Sequence, residues 1–317
     1  MSNDVYIGVD LGGTRVRAAR FSTDLEMLAR TEAPSLARVG KEAVIERIYD
    51  VVQAVWPTDG SKVLGIGVTA PGPTNPRTGI IISLTNFVGW HDVPLRDLFQ
   101  SKFSVPTYLG NDANLAALAE TELGAARGYH DVVFLTISTG IGGGVISDGK
   151  MLIGADGLGA ECGHIIMVVE GDHVSTFEKE AAGPAIARYA QIALQNGEKS
   201  SILDLTSGSI DEVNAKHVSD AAKSGDALGK RIMTRTGYMI GLGIVSHLHI
   251  FNPQIVVLGG GVVEGAWELL EGPMHEAIQQ HSLVPEYWTH LKITLAGLGE
   301  NVSLIGAAAL ARQQGAE

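Results

Sequence analysis

At 317 residues the chain is too long for one small core, and at about 100–200 residues per domain two domains are expected. Hydrophobic residues at 45% and charged residues at 18% exclude a disordered chain. A formal net charge of −12, from 35 acidic and 23 basic residues without a basic cluster, excludes nucleic acid and anionic membrane as expected partners. The single cysteine, Cys162, allows no internal disulfide and no thiolate metal site, which fits a reducing cytoplasm. From Asp4 the chain enters an apolar strand pattern with no basic region or cleavage site, and its longest apolar stretch, 238–251, is too short to span a bilayer. A soluble, cytoplasmic protein is expected.

In chain order, residues 5–10 predict a strand, 11–14 a glycine turn and 16–21 a returning strand, with Asp10 ending the first arm of this hairpin. Val44, Ile45, Ile48, Val51, Val52 and Val55 recur at helical spacing and predict a helix over 41–56. A buried strand over 63–68 follows, then turns at 71–73 and 76–79, a short helix over 94–103 and a strand over 107–109. Asn111 and Asp112 open a helix predicted through 126. The opening pattern then returns, with a strand over 132–136, a glycine turn over 138–144 and a second arm from Val145. Two glycine hairpins, each opening an α/β segment, predict a duplicated domain with a hinge near residue 111. The remainder is expected to be mostly helical, with helices over 178–196, 211–224 and 227–251. A strand over 255–258 runs into Gly259–Gly261, followed by a helix over 267–280, a strand over 292–295 and a last helix over 304–313.

The 40 glycines, well above the usual ~7% of a chain, gather where backbone would approach a ligand. In Asp10-Leu-Gly-Gly-Thr14, Gly12 and Gly13 leave amides free to meet phosphate oxygens and Thr14 adds a hydroxyl. Asp10 would hold Mg²⁺ through water. The same residues also make a tight hairpin with no ligand at all. Thr139-Gly-Ile-Gly-Gly-Gly144 is a second such turn; a strand follows it, so it is no dinucleotide fingerprint, and the chain holds no P-loop. Gly259-Gly260-Gly261 differs in leading from strand to helix, which puts helix N-terminal amides near a ligand. Three clusters point to a nucleotide between two domains.

Asn111 and Asp112 serve either as helix caps or, for Asp112, as a carboxylate aimed into the cleft to accept a hydroxyl proton. Glu161 and His164, with Glu178 at a helix start and Asn86 near Trp90, form a set of amides, carboxylates and an imidazole suited to sugar hydroxyls. Zinc at Glu161 and His164 lacks further ligands. His91, His173, His217, His247 and His249 are expected at the surface or in caps.

These motifs together resemble the ROK family (repressor, open reading frame, kinase), specifically its sugar kinases of the glucokinase type, from Ile7 to Ala311. The resemblance rests on DLGGT at 10–14, APG at 70–72, TN with GW at 85–90, NDANLAALAE at 111–120, TGIGGG at 139–144, ExGH at 161–164 and LGGG at 258–261. It implies the actin-like, ribonuclease H-like ATPase fold, two α/β domains around a cleft: 1–110 plus 304–317, and 111–303. It implies phosphate binding by Gly12, Gly13, Thr14, Thr139 and Gly140, adenosine near Gly260 and Gly261, and Asp112 as catalytic base. Asn86, Asn111, Asp112, Glu161, His164 and Glu178 match the family's sugar ligands. ATP and Mg²⁺ as cofactors, a hexose substrate and a homodimer or homotetramer follow from the same resemblance.

The family's cysteine-rich zinc loop is missing between Ile165 and Phe177, so no structural zinc is expected. The expected reaction is transfer of the γ-phosphoryl of ATP to the 6-hydroxyl of glucose. N-acetylmannosamine, N-acetylglucosamine and fructose are alternative acceptors, and polyphosphate an alternative donor. A non-catalytic sugar-sensing protein is the reading from another class. The phosphate loop beginning at Asp10 leaves no room for a DNA-binding region ahead of it, which counts against that reading.

Overall fold

The computed structural model describes residues 3–84 and 86–315. The first hairpin forms as its apolar alternation dictates, from β1 (Val5–Leu11) and β2 (Arg15–Ser22), and is joined by β3 (Met27–Pro34). Helix α1 (Lys41–Val55), β4 (Val63–Ala70), a small sheet of β5 (Thr74–Asn75), β6 (Ile80–Ser83) and β7 (His91–Val93), α2 (Leu95–Phe103) and β8 (Thr107–Asn111) follow. Helix α3 (Asp112–Glu122) leads to the second hairpin, β9 (Val132–Ile137) and β10 (Ile141–Ser147), with β11 (Lys150–Met151). Next come the hairpin β12 (Ile166–Glu170) and β13 (His173–Thr176), and the helices α4 (Phe177–Ala181), α5 (Gly183–Gln195), α6 (Ala215–Lys223) and α7 (Ala227–Phe251). The chain closes with β14 (Ile255–Gly259), α8 (Gly261–His281), α9 (Glu286–Thr289), β15 (Lys292–Leu295) and α10 (Val302–Gly315).

The two large sheets repeat one plan. Their strand orders are β3-β2-β1-β4-β8 and β11-β10-β9-β14-β15. In each, an antiparallel hairpin is continued by two parallel strands. The duplication read from the glycine hairpins is thus a duplication of sheet topology.

The helix that follows each sheet's last strand packs onto the other sheet. After β8, α3 lies against β9 and β10; after β15, α10 lies against β1 and β4, and the two helices pack on each other. Residues 113–120 of α3 are buried all round, as expected for a helix between two layers. Leu115 and Leu118 join Leu304, Ile305, Tyr6 and Phe21 in one cluster, while Ala116 and Ala117 join Val132, Phe134 and Val257 in another. Close approach of α10 requires glycine in β4: a Cβ on Gly67 would lie 1.8 Å from the Ala307 carbonyl oxygen.

Several sequence expectations move. Helix α3 stops at Glu122, short of 126, where Glu120 turns back to accept the Ala125 N–H at 2.7 Å. The helix expected over 178–196 breaks at Ala182, which is extended, and restarts at Gly183 with Pro184 in its first turn. Helix α6 begins at Ala215, not 211, because the Asn214 side chain caps it through His217 N–H. Helix α8 begins at Gly261 rather than 267, with an irregular turn at Ala266, and α10 begins at Val302. His247 is buried, not superficial: it is 1% exposed, Nδ1 lies 2.6 Å from the Gly243 carbonyl oxygen, and its ring stacks on Phe251. Burial holds its pKa below the usual histidine range.

Candidate active site

Asp112 is the first residue of α3, where a carboxylate is favoured by the helix dipole. Asn111 caps the same helix, its Oδ1 accepting from Ala113 N–H at 2.9 Å and Asn114 N–H at 3.4 Å. Capping frees the Asp112 side chain to face the cleft. Its own Oδ1 accepts the Ala113 N–H at 2.8 Å. Although open to the cleft, the carboxyl is set deep among protein atoms, and this desolvation pushes its pKa above the usual aspartate value. The Ala113 N–H opposes the rise, and the charges of Asp10 and Glu161 add to it.

Glu161 and His164 flank a single helical turn whose inner residues, Cys162 and Gly163, are buried, so both functional side chains project outwards. The turn sits directly on β10, since a Cβ on Gly163 would lie 2.1 Å from the Ile141 carbonyl oxygen. Desolvation and the Glu161 charge push the Cys162 thiol up to about 12. From α4, Glu178 Oε2 accepts the Ile141 N–H at 2.9 Å. One cavity of about 550 Å³ is therefore lined by Asn111, Asp112, Gly140, Glu161, His164 and Glu178, together with Thr136 of β9.

The other sequence-predicted residues fall around this centre. Gly13 and Thr14 share a cavity of about 980 Å³ with Asn86, which does not line the Asp112 cavity. Thr85, quoted with Asn86 as part of a motif, lies outside the described residues. Gly260 lies with Asp112 and Glu120 on a small cavity of about 180 Å³. Thr139 and Gly261 line a fourth cavity, about 730 Å³, with Pro184, Ala187, Ala215 and Met233. These last four were missed by sequence reasoning. They are ordinary helix residues with no spacing signal, and only the Gly183-Pro184 break hinted at a special position.

Asp10 points to the α3/α10 side of its sheet: Val5, Ile7, Val9 and Leu11 face the α1 cluster, while Tyr6 faces α10. Its partner in register is Arg17, whose Nε and Nη2 reach Asp10 Oδ2 at 2.8 and 2.6 Å. Burial raises the Asp10 pKa, and the Arg17 charge and hydrogen bond oppose that rise. Among the described residues no group of three histidine, cysteine or acidic side chains could hold an ion by itself.

Two α/β lobes with duplicated sheets, crossing helices and a polar cleft define an actin-like, ribonuclease H-like ATPase fold. The ROK family profile matches residues 6–314. A protein of Thermotoga maritima named glucokinase is 35% identical over 97% of this chain and 97% of its own length. A ROK hexokinase structure from Thermus thermophilus superposes with a TM-score of 0.82 at 32% identity, covering 98% of both chains. A ROK family glucokinase of Streptomyces griseus, solved with glucose and AMPPNP, gives 0.77 at 30% identity over 98% of this chain and 99% of that one. The chain belongs to the ROK family.

Proposed function

We propose that this chain is a glucokinase, transferring the γ-phosphoryl of ATP to the 6-hydroxyl of glucose with Asp112 as general base. The observation that carries the reading is one cavity in which a carboxylate of raised pKa meets Asn111, Glu161, His164 and Glu178. A raised pKa makes the carboxylate a stronger base. Glu161, His164 and Glu178 bind and orient the sugar hydroxyls, and Asp112 takes the 6-hydroxyl proton as the oxygen attacks. Because the transition state of phosphoryl transfer is loose, positioning and charge stabilisation supply most of the catalysis.

The glycine hairpins at Gly12–Thr14 and Thr139–Gly140, with Gly13, Thr14 and Thr139 exposed, offer amides and hydroxyls to the phosphates. The largely apolar cavity beside Gly261 takes the adenosine. Asp10, a single carboxylate at the phosphate turn, suits an Mg²⁺ ion that also takes phosphate oxygens; when bound, that ion neutralises charge on the phosphates. On this reading 1–110 with 304–317 forms one lobe and 111–303 the other. Their closure brings Asn86 to the sugar and expels water, a competing acceptor.

Structural zinc has no place in the proposal. The family's cysteine loop is replaced by the β12–β13 hairpin, and the sole cysteine is buried with a thiol pushed up to about 12. Among the described residues no helix is long and apolar enough to cross a membrane. Family resemblance extends the reading to a cytoplasmic homodimer or homotetramer acting in glycolysis.

ADP release from Mg·ATP is the test, over glucose, mannose, fructose, N-acetylglucosamine and N-acetylmannosamine. Glucose is expected to give the highest kcat/KM. Preference for an N-acetylhexosamine, or activity with polyphosphate and not ATP, would contradict the acceptor or the donor respectively.

A further inference from the structure

The segment 296–301 carries the chain from β15 of the second sheet to α10, which packs on the first. It is gripped from both sides. Glu120 of α3, fully buried, accepts the N–H groups of Gly297 at 2.9 Å and Leu298 at 3.0 Å. Arg17 of β2 donates Nη1 to the Glu300 carbonyl oxygen at 2.7 Å. The same Arg17 side chain, 13% exposed, closes its other two contacts on Asp10 Oδ2, and the Asp10 side chain is only 11% exposed. One rigid guanidinium fork thus joins the phosphate hairpin to the connector between the sheets.

We propose that Arg17 is a positioning residue that fixes the Asp10 carboxylate and couples its orientation to the connector on which the lobes turn. Both Arg17 contacts to Asp10 fall on Oδ2, and neither engages Oδ1. The neutralised, oriented carboxylate is presented in one geometry instead of several, and any shift of residues 296–301 is transmitted to it. Lysine reproduces the charge but has a single nitrogen, and so reaches Asp10 or Glu300 but not both in the same geometry. The inference rests on the assignment of Asp10 to the Mg·nucleotide under the proposed function.

Calorimetry of AMPPNP binding with and without Mg²⁺ tests it apart from turnover. In the parent, Mg²⁺ is expected to tighten AMPPNP binding. In Arg17→Met that gain is expected to shrink by about 10–100-fold, the usual cost of losing an outer-shell partner, with metal-free affinity unchanged within about twofold. Arg17→Lys is expected to fall between. An undiminished gain in Arg17→Met overturns the proposal, as does equal weakening with and without Mg²⁺, which would mark general loosening of the fold. Should circular dichroism show Arg17→Met unfolded, Arg17→Lys decides alone: a parent-like gain overturns the proposal, and a reduced gain with unchanged metal-free affinity upholds it. A parent in which Mg²⁺ brings no gain overturns the Asp10 assignment and the Arg17 inference with it, whereas a parent gain that both variants keep in full overturns Arg17 alone.

Discussion

The two glycine hairpins share a topology and differ in chemistry. In the first, Asp10 stands opposite Arg17; at the matching place in the second, Thr136 stands opposite Gly142. The first hairpin therefore carries a buried ion pair beside its turn. The second leaves bare backbone, and its charge is supplied from outside by Glu178, which accepts the Ile141 N–H, and by Asp112 and Glu161 across the cavity. On the proposed function both turns offer amides to phosphate, but only the first adds a carboxylate for the metal and only the second borders the cavity assigned to the sugar. Sheet order constrains the backbone of both turns, but only the facing side chains decide which ligand each turn can hold.

That division can be broken from either side. Asp10→Asn removes the charge of the first hairpin; turnover at limiting Mg²⁺ is expected to fall by about 10–100-fold, with the glucose KM little changed, in an ADP-release assay. Glu178→Gln acts on the second. Loss of a charged hydrogen bond, about 1.5–3 kcal/mol, is expected to raise the glucose KM roughly tenfold or more with a smaller effect on the KM for ATP. An equal response of both substrates in either variant would mean that the hairpins are not divided in this way.

The pH profile sharpens the comparison. Asp112 must be ionised to accept a proton, and its pKa lies above the usual aspartate value. Activity is therefore expected to be lost as pH falls through that raised pKa, at a higher pH than an ordinary aspartate would give. Glu161→Gln, which removes one of the charges raising it, should move the acid limb of kcat downwards. The smallest effect is expected at Asn111→Ala: the cap lost from α3 costs about 1 kcal/mol of stability, read as a lower midpoint in urea.

Much of the framework around the cavity was legible in the sequence. Both hairpins, the helix opened by Asn111 and Asp112, and the strand-to-helix turn at Gly260 announced themselves by alternation, glycine clusters and capping residues. The edge strand β3 did not, because its inward positions include the small Ala29, Thr31 and Ala33 and its residues are half-exposed or exposed throughout. The β12–β13 hairpin was equally silent, with Ile166, Val169 and Val174 facing outwards. The break at Ala182, beside which the Gly183 N–H donates to the Ser138 carbonyl oxygen, and the irregular turn at Ala266 leave little periodic trace. The grip of Arg17 on Glu300 spans 283 residues, a distance over which no local pattern can report.

The central claim is that Asp112 removes the proton from the sugar hydroxyl. Asp112→Asn keeps the shape and the Ala113 contact but cannot act as a base. Turnover of glucose and Mg·ATP by this variant should fall by about 10²–10⁴-fold, while calorimetry shows glucose binding within a few-fold of the parent. Near-normal turnover, or glucose binding lost in proportion to turnover, would contradict the assignment.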